Sequence, residues 1–143
     1  MRVDFYQLSR DPVERVVPML AAKILETGAR ALVVAEPDRL KPLSDALWQA
    51  DGFLANGLAD EPHGERQPIV LSDRCDAPND ASFVVIADGK WREEASGFAR
   101  ALLLFDEEAT ADARQLWKAF QARDDVEQRI FKQQRSGGWH EGG

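Results

Sequence analysis

Arg30-Ala31-Leu32-Val33-Val34-Ala35 is an unbroken apolar run behind one cation, and its reading decides the fold. A run without polar alternation suits a strand buried on both faces, as in a parallel sheet covered by helices. Upstream of it, Val13, Val16, Val17, Leu20 and Ile24 recur at helical spacing and form one apolar stripe. Asp11 is placed to N-cap that helix, Pro12 suits its first position and Glu14 completes a capping box. Gly28 is its stop. Further back, residues 3–8 alternate apolar and polar and read as a first strand. Downstream, Asp38 opens a second helix that carries Leu40, Leu43 and Leu47 inward and closes at Gly52. Pro42 fits there only because it falls near the first turn. Strand, helix, strand, helix at this spacing implies crossover connections and a parallel sheet.

Residues 53–67 hold two glycines and mixed charge and read as a long loop. Strands are predicted at 68–71, at 83–86 and, as the last of the series, at 101–105, with a short helix over 91–98. From Glu107 to about Gln134 there is no glycine or proline, which predicts a long C-terminal helix or a broken pair, with Asp125 and Gln128 able to cap a second piece. Residues 136–143 are glycine-rich and expected to form a flexible tail. The expectation is a three-layer α/β domain spanning 1–143, with a mainly parallel central sheet.

The net charge of −7 opposes duplex DNA binding through the whole surface, because phosphate contacts need dense Lys and Arg. Nucleic acid is then reached only indirectly, through a protein. No apolar run approaches the roughly 20 residues that cross a bilayer. Met1-Arg2-Val3-Asp4-Phe5-Tyr6 lacks a basic stretch leading into an apolar one, so no signal peptide is expected. A single cysteine, Cys75, rules out an internal disulfide and fits a reducing cytoplasm.

The residues of catalysis do not assemble. The turn after the first strand, Leu8-Ser9-Arg10-Asp11-Pro12, lacks the G-x-G-x-x-G of dinucleotide folds, and no phosphate-binding G-x-x-x-x-G-K-[ST] occurs. Asp11 and Glu14 put negative charge where a helix N-terminus would hold an anion. His63 and His140 belong to no metal-ligand spacing. Cys75 lies in a polar loop between Arg74 and Asp76 and could be a nucleophile only if a base approached it. Carboxylate pairs such as Glu93-Glu94 and Asp124-Asp125 sit in solvated contexts. No cofactor is implied.

Two clusters remain. Trp48, with Phe53 and Leu54, either closes the core under the long loop or forms an aromatic patch for a partner. Arg114 and Lys118 are four apart on the last helix, with Trp117 and Gln121 on the same flank and Leu116 and Phe120 on the neighbouring stripe. A basic pair beside an aromatic wall suits an acidic peptide end: Arg takes the terminal carboxylate and the wall buries the last side chain. Taken alone, this spacing favours a solvated helix face with Trp117 in the core.

A resemblance shifts that balance. Phe5-Tyr6-x-Leu8, the strand ending in Ala35-Glu36, and Leu40-x-x-Leu43-x-x-x-Leu47-Trp48 followed by Phe53-Leu54 come first. Gln67-Pro68-Ile69 and Arg114-x-x-Trp117-Lys118-x-Phe120 follow in order. Together they resemble the chi subunit family of bacterial DNA polymerase III. The resemblance implies a Rossmann-like α/β domain without catalysis, an accessory part of a DNA-directed DNA polymerase. It implies a link between the clamp loader and the acidic C-terminal tail of single-stranded DNA-binding protein (SSB). The tail site would fall on Arg114, Trp117, Lys118 and Gln121 with Leu103 or Leu104 as floor. A second contact, to the psi subunit or an equivalent, would fall on Trp48, Phe53 and Leu54. Departures from the family pattern are Trp117 for a frequent tyrosine, Gln121 where another basic residue is expected, and Ala55 and Asn56 after the second patch. A nucleotide- or anion-binding enzyme with a pocket near Ser9 and Glu36, and an adaptor for another acidic-tailed partner such as a repair helicase complex, are the rival readings.

Overall fold

The computed structural model describes residues 1–50, 52, 54–62, 64–76 and 79–142. The elements are β1 (Arg2–Gln7), α1 (Val13–Glu26), β2 (Ala31–Val34), α2 (Pro37–Gln49), β3 (Asn56–Leu58) and β4 (Ile69–Ser72). They continue with β5 (Phe83–Ile86), a 3-10 turn at Glu93–Gly97, β6 (Arg100–Phe105), α3 (Thr110–Gln121), β7 (Glu127–Gln133) and β8 (Trp139–Glu141). The strands form one sheet in the order β3-β4-β2-β5-β6-β1-β7-β8. Every pairing is parallel except β7 with β8. β1 lies between β6 and β7 rather than beside β2, so the order departs from that of the doubly wound dinucleotide fold.

The apolar run behaves as its composition requires: all four residues of β2 are fully buried. Val16, Val17, Leu20 and Ile24 of α1 and Leu43 and Leu47 of α2 pack on one face of the sheet, over Val33, Leu71, Val85 and Leu104. Ala113 and Phe120 of α3, with Phe98, cover Phe5, Leu32, Ile86 and Leu103 on the other. Burying side chains on both faces at about 25 cal/mol per Å² of apolar area is what holds such a sheet together.

Several expectations are corrected. Asp11 does not cap α1. The cap residue is Pro12 without any side-chain bond, and the Asp11 carboxylate instead accepts from Gln133 Nε2 at 2.9 Å. Pro42 is the sixth residue of α2, beyond the first turn, and leaves an unfilled donor position inside the helix. The loop expected at 53–67 contains β3, an edge strand, and a 3-10 turn at Gly64–Arg66.

The largest correction is at the C-terminus. The long helix is only the twelve residues of α3, and β6 is followed by two more strands. Asp124 and Asp125 put negative charge at the negative end of the helix dipole. Asp125 is drawn into a local ion pair with Arg123 at 2.8 Å. Gln128 caps no second helix; from β7 it donates to Trp117 O at 2.9 Å, tying the strand to α3. Where a frayed tail was expected, Gly137 turns with φ +95° and β8 pairs back on β7.

Candidate functional site

Asp106 sets the start of α3: its carboxylate accepts from Ala109 N at 3.1 Å and its carbonyl from Thr110 Oγ1 at 3.0 Å. From that start, the helix turns Thr110, Arg114, Trp117, Lys118 and Gln121 to one side. They line a cavity of about 340 Å³ between α3 and the β1–β7 side of the sheet. The expected tail-site residues of α3 are therefore brought together.

The floor is not the one expected. Leu103 is 1% exposed and faces α3, but it borders a different cavity with Trp91 and Leu116. Leu104 is fully buried on the opposite face of the sheet. The floor is Phe5 and Phe105, with Ile130 of β7 beside them. Trp117 stands edge-on to Phe5, ring centroids 5.0 Å apart. Trp117 thus does both jobs left open for it, packing on the core and walling the cavity.

Sequence reasoning also missed Lys132, which lines the cavity from β7. Residues 126, 128, 130 and 132 face α3 and alternate with 127, 129 and 131. No apolar-polar alternation announces the strand, because Gln128 and Lys132 share the inward side with Val126 and Ile130, and the lack of glycine or proline read as helix. The lining residues include no carboxylate. Among the described residues, Arg114, Lys118 and Lys132 make no ion pair, whereas Arg2, Arg92, Arg100, Arg123 and Arg129 all do.

At the second cluster, Trp48 is 56% exposed, against the fully buried Leu47 beside it, so it lies on the surface. Leu54 is buried, and Phe53 lies outside the described residues. Asn56 is also buried, accepting from Ser44 Oγ at 2.6 Å.

The rival pocket near Ser9 and Glu36 is divided between two adjoining cavities. Ser9 lines a cavity with Arg10, Pro12 and Glu107, and Glu36 lines an adjoining one with Asp88, Lys90, Glu108 and Asp112; Arg39 and Asp106 line both. In the second, five carboxylates outnumber the two cations, Arg39 and Lys90, which opposes an anion. At the first, Gln133 Oε1 accepts from the backbone N–H groups of Ser9, Arg10 and Asp11 at 2.9–3.2 Å. Burial pushes the Cys75 thiol up to about 11, away from the reactive thiolate. His63 lies outside the described residues and His140 is exposed on β8. Among the described residues no cluster of His, Cys, Asp and Glu could hold a metal, and no helix is long and apolar enough to cross a membrane.

A search of curated proteins gave no match. The family model described as DNA polymerase III chi subunit, HolC, matches residues 1–126.

Proposed function

The chain belongs to the DNA polymerase III chi subunit family, and from that premise we propose that it is a non-catalytic tether between the clamp loader and SSB. Membership makes it an accessory subunit of DNA polymerase III in DNA replication. In this reading, the acidic C-terminal tail of SSB docks in the α3 cavity. Its last apolar side chain enters the Phe5–Phe105–Trp117 floor and wall, and Arg114 and Lys118 take its terminal carboxylate. The exposed Trp48 supplies a contact to the psi subunit or an equivalent clamp-loader protein. SSB coats single strands, so the tether raises the local concentration of the polymerase assembly at the fork without contacts to DNA of its own. It works in the cytoplasm, and needs neither cofactor nor catalytic residue.

One observation carries this reading: an apolar cavity rimmed by cations that no lining carboxylate neutralises. Arg114→Ala is expected to weaken binding of an acidic peptide ending in Phe by on the order of 2 kcal/mol, with the fold intact. Isothermal calorimetry on wild type and variant measures this, and an unchanged affinity removes the site assignment.

A further inference from the structure

Lys132 stands across the cavity from the α3 pair, at the β7 position in register with Gln7 of β1. It lies beyond residue 126, where the family match ends. The whole chain carries 25 acidic and 18 basic residues, yet this cavity gathers three cations and no acid. Like charges on two walls of an apolar cavity repel one another, and an anionic ligand relieves that repulsion.

We infer that Lys132 is a second anion anchor of this cavity, one that grips an acidic side chain of the ligand while the α3 pair holds its terminal carboxylate. The inference rests on the tail-binding reading and narrows it. The ligand must carry an acidic side chain close to its apolar C-terminal residue; an apolar end with a free carboxylate is not enough. Two walls bearing cations also fix the direction in which the peptide enters, because the two kinds of carboxylate go to different walls. The positive charge missing at Gln121 on α3 is thereby supplied from the sheet.

The test uses the full chain and two synthetic peptides ending in Phe with a free carboxylate, one with Asp residues before it and one with Asn in their place. Lys132→Gln is expected to weaken the Asp peptide roughly fivefold to tenfold, as for one charge-assisted contact. It should leave the Asn peptide's affinity unchanged. Equal losses on both peptides, or none on either, overturn the inference. Arg114→Ala is measured alongside. If it weakens both peptides while Lys132→Gln is silent, tail binding stands and only the second anchor falls. If wild type binds neither peptide, the tail-binding reading falls first and takes the anchor with it. Lys132 is exposed, so an unchanged thermal midpoint confirms that the variant reports on binding.

Discussion

Asp4 has no exposed surface, yet it holds two guanidinium groups: Arg2 at 2.8 Å and Arg100, whose Nε reaches it at 2.6 Å. Beside it in β1 is Tyr6, the only tyrosine of the chain. Burial first, and the Asp4 charge second, push the Tyr6 hydroxyl from 10.0 up to about 12. The folded protein therefore keeps its phenol proton longer than the unfolded chain does. This contribution to stability is complete below pH 10 and is lost as pH rises toward 12. An ultraviolet phenolate titration of this sole tyrosine should show its midpoint well above 10; a midpoint at the ordinary value would place the hydroxyl in solvent. Trp48 is the opposite case, a large apolar side chain left more than half exposed. Trp48→Ala should change unfolding free energy by no more than about 0.5 kcal/mol, while capture of a clamp-loader partner is lost. A large drop in the thermal midpoint with capture retained would make Trp48 a packing residue instead.

At the scale of elements, β7 is the strand whose presence changes the site. It pairs with β1 along Arg2–Gln7, contributes Ile130 and Lys132 to the cavity, and is pinned at its end by Gln133. That residue is buried, receives three backbone N–H groups of the β1–α1 turn, and donates to Asp11. Gln133→Ala should strand those donors and destabilise the fold by about 1–3 kcal/mol. Hydrogen exchange should quicken first in β7 and in residues 9–11; protection unchanged there would refute the pin. The legibility of the chain follows from the range of the interactions involved. β2, the α1 stripe and the Arg114, Trp117, Lys118 face of α3 are written in local periodicity and could be read directly. Of the two floor candidates, Leu103 and Leu104, only one could face α3, since adjacent residues of a strand face opposite sides. The Gln133 contacts join residues more than 120 apart in sequence, and no local pattern announces them. Asp11 misled for the same reason: its preference for a helix cap lost to a partner from the far end of the chain.

At the scale of the whole molecule, a net charge of −7 repels an acidic tail, while the three cations of the cavity attract it. Both effects are screened, but the short-range attraction must win for binding to occur at all. Peptide affinity should therefore fall as salt rises, by roughly tenfold between about 0.05 and 0.5 M as the Debye length shrinks below the size of the cavity. An affinity indifferent to salt would mean that apolar contact alone holds the peptide. The two ends of the sheet bear on the same setting. β3, which closes one end, is three residues long and offers a foreign strand only about 10 Å of ladder; at the other end β8 covers just Phe131–Gln133 of β7, and the stretch it leaves uncovered carries Glu127 and Arg129. A short edge at one end and charged residues along the other disfavour growth of the sheet from one molecule into the next. Crowding many copies onto one strand coated with tails should then leave them as separate, exchangeable units rather than seed a β-aggregate.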